Sequence, residues 1–358
     1  MRAVSRIVLV SAVLLAPGSA PHDPPQREMR AVIGTRASTH AEILSSTSAL
    51  PAHIATSFSD PIAFTQTSAG QYLVFDRRAQ AVYAIDPAGT EATRLVQIGE
   101  ERGRIIRPTS FASEPGGTFV VADQPGGRQR IQRFADRGYL LNGFTLAAQP
   151  GPRLVVEGFA LGDGPSLQFT GDSIFLSQPQ TGSLITEYTW DGQVRRAFGG
   201  LRATGHEADR ALHLSLNAGL PLVDPTGGFC FVFQSGIPTF RRYDGAGALV
   251  FERHIEGREL DDALRSQPST WPAREADDRA WPAVPSVIRA AAIDPHGNLW
   301  VALNDPIVYV YSPDGDKIRT LQLRGAGPLA PTSLFFGAGS RLLVTPGCYI
   351  FDVARIVP

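Results

Sequence analysis

A glycine-anchored unit recurs six times along this chain of 358 residues and constrains its fold more than any other feature. Each copy runs from a glycine-bearing turn into a short apolar strand. An aromatic-rich strand follows and ends in an Asp/Gly turn. Residues 70–76 with 81–89 form the first copy, and residues 117–123 with 130–138 the second. The others begin at Gly171, Gly228, Gly297 and Gly339, giving spacings of 47, 54, 57, 69 and 42 residues. Units of this size, each holding strands that cannot bury both faces alone, correspond to four-stranded propeller blades. Glycine supplies the positive φ of a tight hairpin. The following strand is apolar throughout because neighbouring blades cover both its faces. Outer strands are expected near residues 94–98, 195–198, 248–251 and 318–323.

The sixth copy is cut short. Only six residues follow Asp352, too few for a turn and a full outer strand. An open sheet edge is a liability, so a strand from the N-terminal region is expected to complete the last blade, placed between residues 28 and 46. The fold class is therefore all-β: a six-bladed β-propeller of four-stranded antiparallel blades. A count of seven would need a further copy within residues 140–164 or 257–285. The expected organisation is a signal peptide over residues 1–20, an N-terminal segment with the closing strand over 21–50, and the propeller over 51–358. Composition agrees, with 43% apolar residues and 36 Gly plus 28 Pro, more punctuation than long helices tolerate.

Two copies carry a resemblance. Gly117-Thr118-Phe119-Val120-Val121-Ala122-Asp123 and Asp294-Pro295-His296-Gly297-Asn298-Leu299-Trp300-Val301 resemble the core of NHL-type repeats, as does the Ser-Pro-Asp-Gly turn ending at Gly315. The likeness covers roughly residues 55–354. Ser177, Gln234 and Thr345 stand where the first two copies have Asp76 and Asp123. The resemblance implies a six-bladed propeller and leaves function open.

Arg2 and Arg6 precede an apolar stretch over residues 7–15, followed by small residues up to Ala20, the pattern of an export signal. The stretch is too short to span a bilayer, and none after it is long enough. A secreted or periplasmic location follows as an expectation. The chain has two cysteines, Cys230 and Cys348, expected in blades that are not neighbours and therefore unbridged. A formal net charge of −1 gives no field directed at nucleic acid. The only lysine, Lys317, lies in a turn-like stretch, which argues against Schiff-base chemistry.

The connections between blades are where function is expected. Those over residues 199–216 and 257–285 are long. The second holds Trp271 and Trp281, each followed by proline: either an aromatic platform for a flat ligand or pins that fix the loop to the propeller. Residues 259–265 have the composition of a short helix. The first holds His206, Glu207, Asp209 and His213; on one helix, His206, Arg210 and His213 would share a face, yet no zinc-protease spacing occurs. Arg107 and Arg289 precede or begin inner strands, where a guanidinium suits a carboxylate or phosphate or an ordinary salt bridge. Arg107, Arg289, Trp271, Trp281 and His206 are thus the candidate ligand-binding residues. No catalytic residue, metal site or cofactor is assigned. There is no nucleophile elbow, phosphate-binding glycine loop or Cys-based redox pair. The expected role is a monomeric binding module for an unknown protein or a small anionic or carbohydrate ligand, with no nucleic acid and no membrane span. The alternative is a metal-dependent hydrolase of the gluconolactonase-like propeller type.

Overall fold

In each repeat the apolar strand after the anchoring glycine lies second from the channel: Tyr72–Asp76, Phe119–Asp123, Ser173–Ser177, Phe229–Phe233 and Leu299–Leu303 are buried at every position, and Arg341–Thr345 at every position but the first. All six anchoring glycines have positive φ. The computed structural model describes residues 41–354 except 148, 150, 157–158, 162–165, 266, 269 and 277–278. The propeller belongs to the unit Ser38–Pro358. The expected export signal over residues 1–20 lies outside the described residues.

Six antiparallel sheets form the blades. From inner to outer strand, blade 1 is Pro61–Gln66, Tyr72–Asp76, Ala81–Ile85 and Ala92–Arg94; blade 2 is Ser110–Ser113, Phe119–Asp123, Arg130–Phe134 and Leu140–Thr145. Blade 3 is Leu167–Thr170, Ser173–Ser177, Ser183–Tyr188 and Val194–Gly200; blade 4 is Gly219–Val223, Phe229–Phe233, Thr239–Tyr243 and Leu249–His254. Blade 5 is Ile288–Ile293, Leu299–Leu303, Val308–Tyr311 and Lys317–Arg324; blade 6 begins Ser333–Gly337, Arg341–Thr345 and Tyr349–Asp352. Apolar clusters fill the spaces between neighbouring sheets. One joins blades 4 and 5 around Val232, Phe240, Val301 and Tyr309, and another joins blades 5 and 6 around Trp300, Leu321, Leu342 and Phe351.

An N-terminal strand completes blade 6, but not within the expected interval. Ser48–Ala49 pairs antiparallel with Tyr349–Asp352. The segment inside that interval, Glu42–Ser45, instead adds a fifth strand to blade 5, parallel to Lys317–Arg324. The closing strand has only two residues, too few to show an alternation in sequence. No seventh blade exists among the described residues: the two candidate segments hold two-stranded hairpins, Leu154–Val156 with Phe159–Leu161 and Ala273–Ala276 with Arg279–Pro282.

Buried carboxylates tie connections to blades. Asp76 accepts hydrogen bonds from the backbone N–H groups of Ser59, Asp60 and Ala79 at 2.6, 3.1 and 2.9 Å. Asp123 accepts from the N–H of Ile106 and from the Arg130 guanidinium. An acid at the end of the second strand thus satisfies donors of the incoming connection that would otherwise be orphaned. Cys230 and Cys348 are buried and unbridged, as expected from their blades.

Candidate functional site: the central channel and its lip

Up-and-down blades place the start of every inner strand, the end of every second strand and the blade-to-blade connections on one face, the entry face. A cavity of about 240 Å³ lies on the axis between the inner strands of all six blades. Strand register gives the depth of each lining residue. Ser333 stands opposite Thr345 and Ser110 opposite Ala122, at or next to the ends of their second strands. The Ser166 carbonyl accepts from the N–H of Ser177, also an end residue. With Thr332 these form a hydroxyl-bearing ring on the entry side. One level deeper, Phe111 faces Val121, Phe335 faces Leu343, Pro221 faces Phe231 and Ala291 faces Val301. That level is mostly apolar, with Gln168 as its polar member.

Arg289 belongs to the entry ring because of a β-bulge. Ile288 pairs with Leu303 and Ala290 with Ala302, so Arg289 is the extra residue of the inner strand. Bulges re-aim side chains and recur beside binding sites. Ile62 occupies the equivalent bulge in blade 1, between Pro61 opposite Asp76 and Ala63 opposite Phe75. Both residues line the cavity and are half-buried. Among the described residues lining the cavity Arg289 is the only charged one, and there is no Asp or Glu.

The walls are braced. Phe111 stacks between Phe75 and Phe119, with ring centroids 5.3 and 5.8 Å away. Thr345 lies wholly buried behind the ring, 2.8 Å from the Thr332 hydroxyl and 2.6 Å from that of Ser333. Either partner can donate in both contacts, so this hydroxyl chain can turn a donor or an acceptor toward the channel.

Three connections join on the entry face into a lip beside the channel. The Val155 N–H donates to Val284, and the Ser286 N–H donates back to Val155, linking the blade 2–3 connection to the blade 4–5 connection. The blade 3–4 connection contributes the helix Arg210–Leu216, capped by the Asp209 side chain at the N–H of Leu212. Leu154, Leu212, Leu216, Ala218 and Val284 pack together beneath, with Trp271 against them. Arg202 clamps this core. Its guanidinium donates to the carbonyls of Leu216, Ser235 and Ile237 and lies over the Phe233 ring at 4.2 Å. Burial, with Arg241 nearby, brings its pKa down to about 10.

The five candidates from sequence separate in space. Arg289 alone lines the channel. Arg107 is exposed on the entry face, in a left-handed conformation, donating to the carbonyl of Gln124. Trp281 is buried at 7% exposure under the Arg153 guanidinium, 5.6 Å from its ring centre, and Trp271 is half-buried against the lip core. The tryptophans therefore pack the loop down. His206 precedes the helix, which starts at Arg210, so it does not share a helical face with His213; His213 instead meets the Thr204 hydroxyl at 2.8 Å. The short helix expected over 259–265 is present as Arg258–Arg265.

The hydroxyl ring and the aromatic walls were not singled out from sequence. The signal available was position: Ile62, Ser110, Arg289 and Ser333 lie six to eight residues before an anchoring glycine. The hairpin Leu154–Val156 was also missed, because two three-residue strands show no period.

No family model matches the chain, and no curated protein is similar to it in sequence. Solved structures are. Virginiamycin B lyase from Staphylococcus aureus aligns over 80% of this chain and 77% of its own, with a TM-score of 0.50 and 12% identity. A streptogramin B lyase aligns over 82% and 92% at TM-score 0.49 and 12% identity, and a luciferin-regenerating enzyme over 81% and 84% at 0.47 and 12%. At such identity the likeness to virginiamycin B lyase speaks to fold alone, and the fold it supports is the six-bladed β-propeller.

Proposed function

We propose that this chain is an exported, monomeric β-propeller binding module that takes a small ligand in the entry side of its central channel. The observation that carries this reading is the cavity: it draws residues from all six inner strands and has a polar ring, braced apolar walls and a single charge at a bulge. Concave sites with mostly apolar walls and a few converging polar groups are where small molecules bind. The lip is packed by its own tryptophans, so recognition falls to the channel rather than to Trp271 and Trp281. Among the described residues no three His, Cys, Asp or Glu side chains gather closely enough to hold an ion. No helix among them is long and apolar enough to cross a membrane.

The test is a thermal-shift screen of small metabolite-like compounds on the wild type and on Ala291→Leu, which narrows the channel at its middle level. Compounds that bind in the channel raise the melting temperature of the wild type and not of the variant. Equal shifts in both would move the site elsewhere. Turnover of a lactone that a chelator abolishes would replace this reading with the hydrolase. Export is checked separately, by whether the tagged chain fractionates outside the cytoplasm in a bacterial host.

A further inference from the structure

We infer that the entry-face rim over blades 1 and 2 is a separate recognition surface. There Arg78, Arg107 and Arg128 take the carboxylates of an acidic, extended segment of a partner protein, and Ile98 takes an apolar side chain of it. This surface goes beyond the channel reading above and does not rest on it.

The rim carries more arginine than its own acids neutralise. Three ion pairs lie there: Arg77 with Asp60, Arg104 with Glu101, and Arg130 with Asp123. Arg78, Arg94, Arg102, Arg107 and Arg128 stand outside these pairs, and none of them meets a carboxylate among the described residues. On the same segments, 77–80, 94–109 and 124–130, Glu100 is the acid left over. The whole chain has a formal net charge of −1, so the excess is local. Arg78, Arg102, Arg107 and Arg128 are all exposed. Like charges gathered on one surface repel one another and raise the local concentration of an oppositely charged partner.

Hydrogen bonds hold these charges side by side. Arg78 stands two residues before Gln80, whose side-chain carbonyl accepts from the Arg107 N–H at 2.7 Å. The Arg107 guanidinium donates to the Gln124 carbonyl at 2.7 Å, at the head of the turn Pro125–Gly127 that leads into Arg128. Arg94 lies beneath the first turn, donating to the carbonyls of Ala79 and Gln80 at 2.9 and 3.2 Å. Its charge adds to the rim without being opposed. A guanidinium has five N–H donors, so Arg107 keeps most of its own for a partner. The exposed arginines sit on adjacent turns of two blades rather than around one point. That layout fits a row of carboxylates on an extended chain better than a single phosphate, since each fork matches one carboxylate. Ile98 is 44% exposed on the same connection and bridges to Ile105, two residues before Arg107. Protein interfaces combine an apolar contact with a polar rim, so Ile98 favours a protein segment over a layer of lipid headgroups.

The experiment is fluorescence anisotropy with labelled probes: a short peptide alternating Glu and Leu, its Gln–Leu counterpart, polyglutamate of equal charge, and vesicles containing phosphatidylglycerol. The Glu–Leu peptide is expected to bind the wild type at least about tenfold more tightly than the Gln–Leu peptide, because several charge-assisted hydrogen bonds are at stake. Its affinity should fall by a similar factor from low to high salt, since the rim is exposed. Arg78→Glu combined with Arg128→Glu should weaken it by about tenfold at unchanged melting temperature, both side chains being exposed and outside any ion pair. Arg137→Glu, exposed in the turn between the third and outer strands of blade 2 on the opposite face, should leave it unchanged. Ile98→Ser should weaken the Glu–Leu peptide and not polyglutamate. Ala291→Leu, which narrows the channel, should have no effect on any of these probes, so failure here and failure of the channel reading are told apart. Should the double variant fold poorly, the Glu–Leu against Gln–Leu comparison and the salt dependence on the wild type decide the matter. No binding of the Glu–Leu peptide, equal binding of its Gln–Leu counterpart, or an equal loss from Arg137→Glu overturns the proposal. So does tighter binding of the vesicles, which would make the rim a membrane contact, or of polyglutamate, which would remove Ile98 from the surface.

Discussion

Asp123 and Arg130 form an ion pair with almost no access to water, joined by Nε at 2.9 Å and by the second guanidinium nitrogen at 2.6 Å. Arg130 also donates to the carbonyls of Glu100 and Arg104, so one side chain fixes the incoming connection of blade 2. Removing one member of such a pair leaves a buried charge whose desolvation is no longer offset. Arg130→Met is expected to cost about 3–5 kcal/mol in urea unfolding. The double variant Arg130→Met with Asp123→Asn should be more stable than the single one, since it removes the stranded charge. A single variant with unchanged stability would show that the pair is not holding the blade. Titration tests the packing of other buried groups. Burial pushes the thiols of Cys230 and Cys348 up to about 12 from 9, and also raises the phenols of Tyr188, Tyr243, Tyr309 and Tyr311. Their folded pKa values exceed the unfolded ones, so the unfolded chain releases protons first and stability falls as pH rises. For the thiols the contribution is complete below pH 9 and is lost between 9 and about 12. Arg202, lowered to about 10, acts in the opposite sense above that pH. The urea midpoint should therefore be insensitive to these thiols below pH 9 and decline above it. Replacing both cysteines by alanine should make the alkaline decline shallower.

The turn glycines between third and outer strands show how a blade is fitted to its neighbour. A β-carbon at Gly192 of blade 3 would stand 2.8 Å from the Phe144 ring on the outer strand of blade 2, and one at Gly247 of blade 4 would stand 2.8 Å from the Phe198 ring of blade 3. Both have positive φ. Gly182 also has positive φ but would meet nothing within 4 Å, so it separates backbone strain from the clash. Gly182→Ala is expected to cost about 1–2 kcal/mol, the left-handed penalty. Gly192→Ala should cost about 2–4 kcal/mol, adding overpacking against the ring. Equal losses in urea unfolding would remove the inter-blade contact from the account. These glycines also explain what could be read from the chain alone. The repeat was legible because every blade must meet the same neighbour in the same way, which imposes the same residues at the same offsets. The closing strand and the lip hairpin have no such repetition, and the Arg289 bulge recurs only at Ile62, with no residue type in common. A two-residue strand such as Ser48–Ala49 carries no period, and a bulge is defined by its partner strand. Arg289 could therefore be picked as a candidate by residue type, whereas its place among Ser110, Phe111 and Phe335 depends on closure of the ring.

Closure itself depends on a strap of thirteen residues, 42–54. Ser48–Ala49 supplies the outer edge of blade 6, and Glu42–Ser45 runs parallel beside the outer strand of blade 5. The Thr47 N–H donates to Ile350 and the Ser46 N–H to Arg324, so consecutive residues bridge two blades. Leu50 and Ile54 then enter the core of blades 1 and 6 beside Phe64, Leu343 and Cys348. Pro51 lies where a β-carbon on Gly89 of blade 1 would come within 3.0 Å, the contact that an outer strand makes elsewhere in the ring. The two parts of the strap have different work. The parallel strand is exposed and pairs with a blade already complete, so its loss should leave the ring closed. The segment from Thr47 to Ile54 fills both an edge and a core, so its loss exposes the backbone of Tyr349–Asp352 and opens the apolar seam between blades 6 and 1. A chain starting at residue 46 is therefore expected to unfold cooperatively with a modest loss of stability. A chain starting at residue 56 should lose the single sharp transition and self-associate through the bare edge of blade 6. Scanning calorimetry with light scattering checks both, and equal behaviour of the two chains would show that the ring closes without its N-terminal strand.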